Sequence, residues 1–79
     1  MEIEQEVKQI IKDHLVITPP VIELQSRIID DLGADEIDLV EIVMIAEEKF
    51  NISISDREMN RLVTMQDLVN IIQSKKGDN

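Results

Sequence analysis

Cysteine is absent from this chain of 79 residues, and Phe50 is its only aromatic residue. Without thiols there is neither a disulfide staple nor a thiolate metal site, so apolar packing alone has to hold any fold together. Cysteine usage leaves the redox compartment open. Without Trp or Tyr there are no stacking platforms for single-stranded nucleic acid. A net charge of −9 also repels a phosphate backbone, which excludes nucleic acid as a partner. Apolar runs are short, as around Val43-Met44-Ile45-Ala46, and no cationic start precedes an apolar stretch. The expectation is therefore a monomeric cytoplasmic protein with no membrane span and no secretory signal.

What is present is a 43% hydrophobic share spaced as helices space it. The length suits one small domain over 1–79 with a single site. Ile3, Val7, Ile10, Ile11 and Leu15 recur at steps of three and four and place a first helix at about 3–15, with Glu2, Glu4 and Glu6 at the favourable end of its dipole. Pro19 and Pro20 stop it. A long connection follows, with Val21, Ile22, Leu24, Ile28, Ile29 and Leu32 as apolar anchors, which predicts an ordered loop lying across the helices. Asp35 with Asp38 is a variant capping box that starts a second helix at about 36–50, and Asn51 suits its C-terminal turn. Ser55-Asp56-Arg57-Glu58 is a direct capping-box match for a short third helix at about 56–61. Thr64-Met65-Gln66-Asp67 repeats the logic for a fourth at about 65–74, before a polar tail from Lys75 to Asn79. No strand pattern or repeat is visible. The fold class is all-α.

The second helix carries more apolar positions than one core-facing stripe needs. Val40, Val43 and Phe50 are candidate core. Ile37 and Met44 lie two turns apart, with Glu41 between and Glu48 beyond. A face that mixes an adaptable Met with an Ile and a ring of carboxylates reads as a docking surface. The same residues also fit a plainer picture, in which Ile37 and Met44 are core and the acids a solvated face. Charge distribution bears on that choice. Between Asp30 and Glu58 lie ten acids (Asp30, Asp31, Asp35, Glu36, Asp38, Glu41, Glu47, Glu48, Asp56, Glu58) against Lys49 and Arg57, so −8 of the total −9 sits in this stretch. Such self-repulsion makes sense as steering toward a basic partner.

The string Asp31-Leu32-Gly33-Ala34-Asp35, followed by Asp38, Val40-Glu41, Val43-Met44, Glu47-Glu48 and Phe50, closely resembles the acyl carrier proteins of fatty acid synthesis, over nearly the whole chain. The resemblance implies an acyl-carrier-like four-helix bundle with a long first loop and a short third helix. In that family acyl chains travel as thioesters on a 4'-phosphopantetheine arm held by a serine in an Asp-Ser-Leu motif. The acidic second helix docks on basic patches of partner enzymes. Asp35 matches the motif's aspartate, Ile37 its leucine and Asp38 the aspartate that follows, while Glu41, Met44, Glu47 and Glu48 match partner-contacting positions. The serine falls on Glu36, and a carboxylate cannot accept the phosphodiester. A shifted register would break the Gly33-Ala34-Asp35 and Val43-Met44 matches.

What the resemblance implies is thus a non-enzymatic docking protein without a prosthetic group. Its expected docking residues are Glu36, Ile37, Asp38, Glu41, Met44, Glu47 and Glu48, its partners basic surfaces of acyl-metabolism enzymes. The alternatives are a conventional carrier, modified elsewhere or bearing a Ser-to-Glu replacement, and a bundle holding fatty acids noncovalently in its core. Ser55 reads as a helix cap, Ser26 and Ser53 lack the motif, and Ser74 sits in the tail. Glu36 itself suits the first turn, where the dipole favours its charge by about 0.3–1 kcal/mol. Asp30, Asp31, Asp35 and Asp38 lack the spacing of a calcium loop, so no metal is assigned. His14 has no Ser, Cys or acidic partner at a recognisable spacing and reads as a helix-end residue.

Overall fold

A computed structural model of the chain describes residues 3–15 and 22–76. Four helices occupy them, α1 (Ile3–His14), α2 (Glu36–Phe50), α3 (Asp56–Asn60) and α4 (Met65–Lys76). The described residues contain no β-strand, only an isolated bridge between Arg27 and Thr64. The fold is the all-α bundle that the helical spacing predicts. No described helix is long and apolar enough to cross a membrane.

Each of the last three helices begins with a reciprocal pair of hydrogen bonds that satisfies backbone groups no helix can satisfy internally. At α2 the Asp35 carboxylate accepts from the Asp38 N–H at 2.8 Å, and Asp38 accepts from the Asp35 N–H at 3.1 Å. Ser55 and Glu58 repeat the arrangement at α3. At α4 the Thr64 hydroxyl accepts from the Asp67 N–H at 3.1 Å, while Asp67 Oδ2 accepts from the N–H groups of Thr64 and Val63 at 3.0 and 2.9 Å. Asn51 ends α2 in the left-handed region, φ 56°, as Asn tolerates better than most residues.

The core is aliphatic apart from Phe50 and Met65. Val7, Ile10 and Ile11 of α1, Leu39, Ile42, Val43, Ala46 and Phe50 of α2, and Met65, Leu68, Val69 and Ile72 of α4 are buried in one cluster, which Ile22, Ile28, Leu32 and Ala34 of the first connection and Leu62 complete. No polar or charged side chain is buried among the described residues. α1 packs against both α2 and α4.

The structure departs from the sequence reading at several points. Val40 is 42% exposed rather than core, because it lies about 100° around the helix from Leu39. Ile29 is 39% exposed and lies outside the buried core. The reason is that the chain from Arg27 winds as a helical turn, with Asp31 N–H to Arg27 O at 2.8 Å and Gly33 N–H to Ile29 O at 3.2 Å. Ile28 and Leu32 then share the inward side and their neighbour faces out. Gly33, at φ +82°, releases that turn into the Asp35 cap. α4 continues to Lys76, so Ser74 and Lys75 are helical and not tail; the two lysines suit the negative end of its dipole. α1 ends at His14, and Leu15 follows it half-buried. α3 stops at Asn60, with Arg61 as its cap. The expectations for Glu2, Pro19, Pro20, Val21 and residues 77–79 lie outside the described residues.

The Thr64 and Val63 amides hold the Asp67 carboxyl below the usual carboxylate range, Thr64 contributing most. A depressed folded-state value adds stability above the unfolded-state value of about 3.9, and loses it as pH falls through the folded-state one. Replacing Asp67→Ala is expected to cost about 0.5–2 kcal/mol in urea unfolding at pH 7. The gap between variant and parent should close as the pH is taken below about 4, and a gap indifferent to pH would contradict the assignment.

Candidate functional site

Burial of Leu39, Ile42, Val43, Ala46 and Phe50 fixes how α2 is rotated about its own axis. At 100° per residue, Ile37, Glu41, Met44 and Glu48 must then lie on the opposite side. Ile37 is 69% and Met44 59% exposed, so of the two pictures left open by the sequence, the one that makes them core is excluded. Glu41 and Glu48 are exposed beside them. Val40 and Ile45, also exposed, widen the apolar strip on either flank. An exposed apolar strip in a frame of carboxylates is what a partner-binding surface needs: area to bury, and charge to orient the approach.

The remaining predicted residues are placed differently from one another. Glu36 is the first residue of α2 and exposed. It adjoins a depression lined by Ile29, Leu39, Val40, Met59, Asn60 and Leu62. The first turn, Asp35-Glu36-Ile37-Asp38, contains no hydroxyl and no thiol. Asp38 is half-buried and committed to the cap through one oxygen. Glu47 does not share the outward face: it is half-buried, and its Oε2 accepts from the Ile54 N–H at 2.7 Å, tying the segment after α2 back to the helix. Asp31 is likewise engaged. The Arg27 guanidinium and backbone amide, the guanidinium foremost, hold its carboxyl below the usual range.

One further residue of this surface carries no local signal in the sequence. His14, at the end of α1, comes within 2.9 Å of Glu41 Oε1 and 3.5 Å of Asp38 Oδ1 through its Nε2. Its acidic partners lie 24 and 27 residues along the chain, so no local spacing signals them. The available clue was tertiary, since α1 and α2 each have an apolar face and must pack together. A groove beside the pair continues along α2 past Met44, Ile45 and Glu48 to Ile52 and Ser53.

Truncations within α2 separate its two faces. Ile42→Ala is expected to destabilise the fold by about 2–5 kcal/mol. Ile37→Ala and Met44→Ala should each stay within about 0.5 kcal/mol of the parent in the same urea titration. A large loss from Met44→Ala would place that side chain in the core.

The family described as "Phosphopantetheine attachment site" matches residues 5–72. The chain is 44% identical over 73 residues to the acyl carrier protein of Campylobacter concisus (strain 13826), which covers 92% of this chain and 95% of that one. It is 42% identical over 76 residues to the acyl carrier protein of Campylobacter fetus subsp. fetus (strain 82-40), covering 96% and 99%. To that of Solidesulfovibrio magneticus it is 37% identical over 78 residues, covering 99% and 100%. The chain belongs to the phosphopantetheine-attachment family of acyl carrier proteins, which are carriers and not enzymes.

Proposed function

Given that membership, we propose that this chain is an acyl-carrier-like docking protein, which binds basic surfaces of enzymes of fatty acid or related acyl metabolism through α2 and holds no 4'-phosphopantetheine arm. It acts as a cytoplasmic monomer. The observation that carries the reading is the coexistence, on one helix, of an exposed Ile37–Glu41–Met44–Glu48 face and a first turn without a hydroxyl.

In this reading Glu36 stands at the family's attachment position, between Asp35 and Ile37. A phosphodiester to the arm needs an alcohol oxygen, which a carboxylate does not offer, so the residues present do not fit the group. Glu36 instead places a fixed negative charge at the start of α2, where the phosphate of a loaded carrier would sit. Docking proceeds by steering. The excess of acids on and around α2 draws in a cationic surface, and Ile37 and Met44 supply the apolar centre. Met44, unbranched and flexible, lets one face serve more than one partner surface. Competition with an arm-bearing carrier for the same enzymes is the direct consequence.

A second reading has its own support, because the relatives that cover nearly the whole chain are called acyl carrier proteins. There the chain is a conventional carrier loaded at another residue, or Glu36 replaces a serine in an otherwise intact carrier. Intact-mass measurement after incubation with a phosphopantetheinyl transferase and coenzyme A separates the docking reading from a carrier loaded at another residue. The docking reading expects no mass gain on the chain, and appearance of the arm there overturns it; efficient loading and acylation of Glu36→Ser would instead mark carrier machinery that is otherwise intact. For the docking face, a Glu41→Lys, Glu48→Lys double variant should weaken capture of basic acyl-metabolism enzymes by at least about tenfold at low salt, with the contrast shrinking as salt rises. Equal recovery of the same enzymes by both proteins would count against the face.

A further inference from the structure

The contact between the end of α1 and the first turns of α2 gathers three metal-ligating groups: His14, Asp38 and Glu41 each present one donor atom, all within 4.8 Å of one another. We propose that His14 Nε2, Asp38 Oδ1 and Glu41 Oε1 form a binding site for a divalent transition metal of the zinc class, with water completing the coordination.

The geometry suits the ion. Zinc takes nitrogen and carboxylate oxygen at about 2.0–2.2 Å, so near-tetrahedral donors stand about 3.4 Å apart. The two separations from the imidazole, 2.9 and 3.5 Å, bracket that value. Asp38 and Glu41 are three residues apart on one helix and so project on the same side. The site is built rather than merely acidic. Asp38 Oδ2 is fixed by the Asp35 N–H at 3.1 Å, which leaves Oδ1 directed at the imidazole, and a hydrogen bond to the outer oxygen is how ligating carboxylates are held in orientation. His14 is anchored on α1 beside buried Ile10 and Ile11, and Asp38 and Glu41 on α2 beside buried Leu39 and Ile42, so the core sets the spacing between the two helices.

Charge argues in the same direction. Among the described residues neither Asp38 nor Glu41 pairs with a lysine or arginine. Two carboxylates facing one imidazole concentrate negative charge at this contact, which a dication neutralises. Calcium and magnesium prefer larger sets of oxygen donors, and the imidazole tips the site toward zinc, copper or nickel. The His14 side chain is 20% exposed, open enough for an ion to enter along the neighbouring groove.

Calorimetric titration of the full chain with zinc chloride, in a non-chelating buffer containing excess magnesium to occupy diffuse acidic sites, tests the assignment. One zinc per chain is expected, with the affinity reduced at least about tenfold by His14→Gln and by Glu41→Gln, and unchanged by Asp30→Asn. The His14 ring nitrogens, followed by 15N-edited NMR, should shift on zinc addition. Two variants on different helices keep the test decisive if circular dichroism finds one misfolded. Zinc binding of equal strength in both variants, an unmoved His14 ring, or no zinc binding above the magnesium background would each overturn the site and leave only a histidine–carboxylate hydrogen bond. No partner protein enters the titration, so its outcome is independent of the docking face.

Discussion

Everything outward-facing on α2 follows from what its inner side must do. In a small chain without cysteine, the apolar stripe from Leu39 to Phe50 has one way to leave water, against the apolar side chains of the other helices and the first connection. Once that stripe is seated, rotation about the helix axis is no longer free. The apolar residues left over, Ile37, Val40, Met44 and Ile45, are exposed because the turn of the helix has already placed them. Their exposure costs solvation free energy that a protein selected for stability alone would avoid, and it is therefore the feature most in need of a functional account.

Capping supplies the second constraint. Seating the stripe fixes the rotation of α2 but not where it starts, and the Asp35–Asp38 pair does that within one residue. Asp38 is thereby used three ways: its amide donates to Asp35, one carboxylate oxygen returns the bond, and the other faces His14. Comparable pairs at Ser55–Glu58 and Thr64–Asp67 begin α3 and α4. Local hydrogen bonds set the boundaries of these helices, and the core sets their orientation.

That division explains what could be read from the sequence. The capping boxes are contained within four consecutive residues, so helix starts were legible, as was the membership of most core positions through their spacing of three and four. For Val40 and Ile29 apolar character alone does not tell which side of a turn is inward; that is decided by neighbours such as Leu39 and Ile28, which compete for the same core. Glu47 looked like one more acid in a row, and its tie to the Ile54 amide depends on the path of the chain after Asn51, which no pattern within α2 encodes. His14 shows the limit most plainly. Its partners are distant in sequence and adjacent in space, and only the packing of α1 on α2 brings them together. Glu36, by contrast, needed no structure, since what matters there is the chemical identity of one side chain at one motif position.

α3 departs from the rest of the bundle in how it is held. It has five residues and none is buried, so it depends on its capping box, on partial packing of Met59 and on the Glu58–Lys75 contact at 3.0 Å. Elements with so little buried area open locally at a small fraction of the global unfolding free energy. Hydrogen exchange in this protein should therefore be fastest, among its helices, in the one that borders the depression beside Glu36. The wall formed by Met59 and Asn60 is its most compliant boundary, and the depression can change volume while α1, α2 and α4 keep their packing.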